Sequence, residues 1–311
     1  MRAFLLLLLL PGLAFAQETG SSEAIPVEVG EPADEAPAAE PLLVRYRFEP
    51  RAEAQAGWRF VESSTWTVKG SNDVKVAGAS VRKGPIDRLN SHRVDVSYVE
   101  VKDGRPFVFD VLVREQVTRK DGELDELGLD GANVRMSGRS GARGIERVDG
   151  GRLKRKQKKW LQDQFGGTAG GADIDPVELL LPERDIAPGD SWDISLDSIQ
   201  GYFGTERFLL DTEASRARAT LESVAVENGV DTGTFSFDVL IVPASMKNAE
   251  FTEASMTITG TAKLPVQGDV PWFAYDVDTS LRFVGVFKRG VIRANADLDM
   301  QMHGVDARRA P

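Results

Sequence analysis

From residue 42 onward, large apolar side chains recur at every second position. Val44, Tyr46 and Phe48 alternate with Arg45 and Arg47, Trp58 and Phe60 flank Arg59, and Trp66 and Val68 flank Thr67. A period of two sends successive side chains to opposite faces of an extended chain, so each stretch reads as a half-buried strand. Val94, Val96 and Tyr98 continue the pattern. Val99 and Val101 then switch parity, which predicts a bulge. Phe107, Phe109, Val111 and Val113 form the next inward row, with turns expected at Lys102-Asp103-Gly104 and Lys120-Asp121-Gly122.

The C-terminal part is the richest in such rows. Strands are expected to begin at Met256 and Ile258, to run from Trp272 to Val277, and to run from Leu281 to Phe287. Ile292, Ala294, Ala296, Leu298, Met300 and Met302 then line one face, opposite Arg293, Asp297 and Asp299. Long strands with one polar face predict a mainly β protein built on an antiparallel meander, strongly curved like a half-barrel.

One stretch breaks the period. Leu153, Trp160, Leu161 and Phe165 fall near one face at helical spacing, with Lys154, Arg155, Lys156, Lys158 and Lys159 crowding the remainder. Gly166 and Gly167 end this amphipathic helix. Asp175-Pro176 predicts the cap and first turn of a shorter helix that reaches Leu181 and stops at Pro182.

The two halves echo each other. Phe107 to Val113 and Phe235 to Ile241 share five of seven residues, about 130 positions apart. Val99-Glu-Val-Lys-Asp-Gly104 similarly matches Val224-Ala-Val-Glu-Asn-Gly229. This reads as a duplication, giving either two β halves side by side or one continuous curved sheet.

The first residues carry an address. Arg2, the apolar run Phe4 to Leu10, the Pro11-Gly12 break and Ala14-Phe15-Ala16 match a cleaved export signal. The apolar run, at about seven residues, is far below the roughly twenty needed to cross a bilayer. Cleavage after Ala16 implies a periplasmic or secreted protein, with no transmembrane segment in the mature chain. The organisation expected is therefore a signal at 1–16, an acidic Pro/Ala-rich disordered linker at 17–41, and a first β half at 42–165. A linker with the short helix follows at 166–182, then a second β half at 183–305 and a flexible tail at 306–311.

Charge and composition narrow the chemistry. The formal charge is −10, and seven acids with no cation lie between 17 and 41, so the body carries little net charge. That leaves no electrostatic footprint for nucleic acid. Cysteine is absent, which removes disulfides, thiol catalysis and thiolate metal sites. His92 and His303 are the only histidines. No phosphate-binding loop, dinucleotide fingerprint or nucleophile elbow occurs. The acids at Asp121, Glu123, Asp125, Glu126 and Asp130 lack the glycine and terminal glutamate of a helix-loop-helix calcium site, so neither metal nor cofactor is expected.

The one enzymatic motif is Val230-Asp231-Thr232-Gly233-Thr234, which resembles an aspartic-protease loop. That chemistry needs two such carboxylates, so Asp231 would have to act in a homodimer. Aligned on the first hairpin, Val230 to Thr232 also read as a lengthened turn.

Leu181-Pro182, a short spacer and Gly189-Asp190-Ser191-Trp192 are similar to a pattern in uncharacterised exported bacterial β-proteins. The overall plan resembles LolA-like lipoprotein-carrier half-barrels, in which a curved antiparallel sheet with helices on its concave side holds acyl chains. The resemblance implies a binding role.

The function expected is therefore non-catalytic: an exported protein that binds an apolar or lipid-like ligand, or a cell-envelope partner. Candidate ligand-binding residues are Trp160, Phe165, Phe235, Phe237, Met300 and Met302. The helix cations Lys154, Arg155, Lys156, Lys158 and Lys159 are candidates for contact with anionic lipid headgroups. The alternative is a structural or adaptor β-protein whose sheet face is fully packed. An outer-membrane barrel is disfavoured by the chain end Arg308-Arg309-Ala310-Pro311, which lacks a terminal aromatic residue.

Overall fold

The structure is a computed structural model describing residues 44–49, 54–102, 105–138, 144–165, 178–204, 208–267, 273–289 and 292–309. The expected export signal, the acidic linker, the Asp103-Gly104 turn, Trp272, the glycine-rich stretch after residue 165 and the Asp175-Pro176 cap lie outside these residues.

The alternating pattern becomes strands β1 (Arg59–Val76), β2 (Ala79–Lys102), β3 (Arg105–Lys120), β4 (Glu123–Leu124), β5 (Asn133–Ser137) and β6 (Gly144–Arg147) in the first half. The second half supplies β7 (Ser191–Asp193), β8 (Phe208–Leu210), β9 (Arg216–Glu227), β10 (Val230–Ile241), β11 (Pro243–Met246), β12 (Ala249–Pro265), β13 (Phe273–Arg289) and β14 (Ile292–Arg309). All belong to one antiparallel sheet, curved but not closed, with main order β6-β5-β3-β2-β1-β14-β13-β12-β10-β9-β7. The two halves are thus one continuous sheet.

The order has a simple logic. The chain moves steadily round the curve from β1 to β6, resumes at the other edge with β7, and continues round until β14 pairs with β1. Sixteen register partners join those two strands, from Val61 opposite Arg309 to Val76 opposite Ala294. The sheet is therefore sealed where its terminal strands meet, and its opening lies between β6 and β7, in mid-chain.

Local signals explain the hairpins. Ala77-Gly78, Asp121-Gly122 and Asn228-Gly229 each hold two successive residues at positive φ, the turn that matches the right-handed twist of flanking strands. The expected bulge at Val99 is present as register shifts around Glu100. The duplicated hairpins are β2–β3 and β9–β10, and their matching rows, Phe109-Val111-Val113 and Phe237-Val239-Ile241, are both buried.

Helix α1 (Arg155–Phe165) forms where expected. Its buried residues Gln157, Trp160 and Leu161 share one face with Leu153, while Lys154, Arg155, Lys156, Lys158 and Lys159 are exposed. Gln157 anchors the helix: its Oε1 accepts from Lys154 N at 2.7 Å and its Nε2 donates to Leu127 O at 2.8 Å. Of the shorter helix expected before Pro182, the described part is a 3₁₀ turn at Glu178–Leu180.

Several expectations are corrected. Val44, Tyr46 and Phe48 lie outside any strand; Tyr46 makes a single bridge to Ile186, and Phe48 packs edge-on against Phe235 with centroids 4.8 Å apart. Residues 306–309 are no flexible tail but the end of β14, held by β1 and β13. Val230 to Thr232 are no turn extension; they open strand β10, opposite Glu227 to Ala225. Helix α2 (Leu196–Phe203) was not expected. Its signal is Ser195, whose hydroxyl accepts from Ser198 N at 3.2 Å as an N-cap.

Candidate functional site

The concave face is built from one parity of each strand, and its rows can be followed laterally. Val68 of β1 lies opposite Arg88 of β2 and Met302 of β14, and Met302 lies opposite Thr279 of β13. The adjacent row is Asn90, Trp66, Gly304 and Val277, and the next is His92, Ser64, Asp306 and Tyr275. Side chains in such rows stand about 5 Å apart, close enough to interact directly.

Two hydrophobic clusters occupy this face. One gathers Phe60, Val94, Val96, Phe109, Val111, Val113 and Met136 beneath Trp160 and Leu161 of α1. The other gathers Trp66, Val68, Phe235, Phe237, Met256, Leu281, Met300 and Met302, with Phe48 and Ile199 of α2. Between them runs a polar seam. Glu62 pairs with Arg308, whose Nε approaches Oε2 at 2.6 Å, and the Arg308 guanidinium stacks on Phe60 and Phe273. Trp66 Nε1 donates to the Asp306 carboxylate at 3.2 Å. Gln116 Nε2 donates to Thr118 Oγ1 at 2.6 Å, and Trp160 Nε1 reaches Asn90 Oδ1 at 3.4 Å.

The electrostatics of the seam centre on Glu62. Burial alone would raise its carboxyl; the Arg308 charge beside it, aided by His92, outweighs that and holds it well below the usual carboxylate range. His92 Nε2 stands 3.9 Å from Glu62 Oε1, at ion-pair distance but too long for a well-formed hydrogen bond. The ring of His92 is edge-on to both Trp160 and Phe165, at 5.5 and 5.8 Å.

Four side chains on this face keep polar atoms that no group among the described residues satisfies. They are both ends of the Asn72 amide, both ring nitrogens of His92, the Thr279 hydroxyl and Arg88 Nε. Asn72, His92 and Thr279 are each at least 96% buried. Each unmet group of this kind costs about 1–3 kcal/mol unless something else satisfies it.

The candidate residues divide between the clusters. Trp160 and Phe165 belong to the first, where Phe165 is half-buried. Phe235, Phe237, Met300 and Met302 belong to the second. All line the concave side, but no single patch unites them, and Phe235 is fully covered by Phe48 and Trp192. The lysines of α1 present only charge outward, because Trp160 and Leu161 face the sheet. Lys156 pairs with Asp125 at 3.0 Å and Lys159 with Asp163.

Asp231 is exposed near the start of β10, opposite Val226. Its backbone carbonyl receives Val266 N at 2.8 Å, an ordinary continuation of the β10–β12 ladder. His303 is exposed on the convex face, 3.2 Å from Asp278. Among the described residues, no cluster of three or more His, Asp or Glu forms a metal-binding group. The convex face otherwise carries Arg282, Asp297, Asp299 and threonines of β12, with Arg282 bridging Asp297 and Glu253. Such charges would have to face hydrocarbon if the sheet lined a membrane barrel. Among the described residues, no helix is long and apolar enough to cross a membrane.

The Leu181–Trp192 segment locks the second sheet edge. Asp190 Oδ2 accepts from Ala187 N at 3.0 Å, Gly189 adopts a φ of 90°, and Trp192 Nε1 donates to Leu180 O at 2.9 Å. Sequence reasoning missed the seam itself. Glu62, Arg88 and Asn72 interrupt the apolar alternation on the inward parity of β1 and β2, and that interruption was the available signal.

No protein-family model and no curated protein matches this chain.

Proposed function

We propose that the protein is exported and acts in the cell envelope as a non-catalytic binder of an apolar, lipid-like ligand held against the concave face of the sheet. The observation that carries this reading is the set of buried, unsatisfied polar atoms of Asn72, Thr279 and His92 on the face that also holds the two apolar clusters. An amphipathic guest that displaced part of this packing could meet those polar atoms, with Val68, Met300 and Met302, buried in the second cluster, among the apolar side chains it would touch. The mid-chain opening between β6 and β7 supports entry from one side.

Native mass spectrometry after mild purification tests it. The expected result is a co-purified mass released by organic solvent; a clean apo mass, together with no uptake of a neutral fluorescent lipid probe, would sink the proposal.

A structural or adaptor role is the second reading, favoured by the complete burial of Phe235 beneath Phe48 and Trp192. It predicts the apo result.

A further inference from the structure

We propose that the end of the sheet carrying the β1–β2, β13–β14 and β11–β12 turns docks on an anionic membrane surface. Apolar side chains would meet the lipid boundary there while lysines and arginines meet the headgroups. This surface is separate from the concave face and does not depend on its ligand.

Strands β2, β1, β14, β13 and β12 are successive neighbours, so these turns come to the same end of the sheet. The outermost row shared by the five strands is Ala79, Val76, Ala294, Phe287 and Ala249. At about 4.8 Å per strand the row is roughly 19 Å wide. Every member is apolar, and none is buried. Val81, 61% exposed, and Ala77 in the turn extend this apolar edge. Farther along the same strands Val68, Met300 and Met302 are buried, so the exposure is confined to the end.

Charge is polarised along the strands. Within four residues of the three turns, Lys75, Arg82, Lys247, Lys288, Arg289 and Arg293 stand against two acids, Asp73 and Glu250. Six cations and two acids leave a net charge of +4 at one end of a chain whose formal charge is −10. The same count over the β2–β3, β9–β10 and β12–β13 turns, at the opposite end, gives three cations and six acids. Lys75 pairs with Asp73 at 2.8 Å and Lys288 with Glu250. Lys247 and Arg293, with Lys83 just behind its turn, are exposed and make no ion pair among the described residues. The next acids inward, Glu253 and Asp297, are held by Arg282.

An exposed apolar edge flanked by cations suits an anionic bilayer: the apolar groups enter the boundary between headgroups and acyl chains, and each nearby Lys or Arg adds attraction. Helix α1, the other basic surface, has only half of this, since its buried Trp160 and Leu161 face the sheet.

Vesicle flotation tests the docking, using the exported form from Gln17 onward and phosphatidylcholine vesicles with or without phosphatidylglycerol. The expected result is about tenfold more protein on the anionic vesicles at low salt, falling to the neutral level in high salt. Lys83→Glu, Lys247→Glu and Arg293→Glu together should remove that preference. Val81→Ser should weaken binding about threefold with the cations intact. Reversal of Lys154, Arg155 and Lys158 on α1 to Glu should leave binding unchanged. Equal binding to both vesicles, binding to neither, or loss only in the α1 variant overturns the proposal. A dimer that the hairpin triple variant dissociates also overturns it, because a second copy would then be the occupant. A clean apo mass in native mass spectrometry leaves this docking intact, and failed flotation leaves the concave-face reading intact.

Discussion

Glu62 and Arg308, 246 positions apart in sequence, are register partners on β1 and β14 and meet at 2.6 Å. Their side chains are only 16% and 18% exposed, so the pair is shielded from solvent. Arg308→Met leaves a buried carboxylate without its counter-ion, and urea denaturation should show a loss of about 3 kcal/mol. The double variant Glu62→Gln with Arg308→Met should lose less than Arg308→Met alone. Equal losses would mean that the carboxylate is not buried.

The same pair sets a pH dependence. The folded pKa of Glu62 lies below its ordinary value near 4.5. A depressed carboxylate contributes stability that is full above the unfolded pKa and is lost as pH falls toward the folded one. The stability difference between the native protein and Arg308→Met should therefore be large at pH 7 and smaller at pH 3. A difference independent of pH would refute this account of the pair.

Trp66 lies across Gly304, and a Cβ at position 304 would come within 2.4 Å of its ring. Gly304→Ala should destabilise the protein by about 1–3 kcal/mol and shift the tryptophan emission. Neither change is expected at the exposed position Gln301.

Ala77 holds a φ of 49° at the β1–β2 turn, a conformation that suits glycine or asparagine. Ala77→Asn should raise stability by about 0.5–1 kcal/mol, read as an upward shift in melting temperature.

Asp231→Ala should change stability by no more than about 0.5 kcal/mol, since the side chain is exposed. The same variant tests the protease alternative: proteolysis at acid pH that vanishes with it would restore the catalytic reading of Asp231.

Much of the fold was legible because a period of two survives any tertiary context in which one sheet face is buried. The rows at Phe107 to Val113 and at Ile292 to Met302 became β3 and β14 for that reason, and α1 stood out because its period differs. What the chain could not announce was partnership. Nothing near Arg308 names Glu62, so the end of the chain read as a tail when it is the strand that seals the sheet. Tyr46 and Phe48 showed the reverse error: alternation without a neighbouring strand to accept the backbone gives one bridge rather than a ladder. The candidate site was half legible. Phe235 and Met302 were found by size and polarity, but their division into clusters depends on register, which a single sequence does not encode.

Because β1 and β14 are paired while the break falls mid-chain, the seam between them forms only when the eighteen residues of β14 have been made. Joining ends some 240 residues apart costs about 5 kcal/mol of loop entropy, so β14 belongs among the last elements to dock. A ribosome still holding that strand would hold an unfinished sheet, with the edges of β1 and β13 left open.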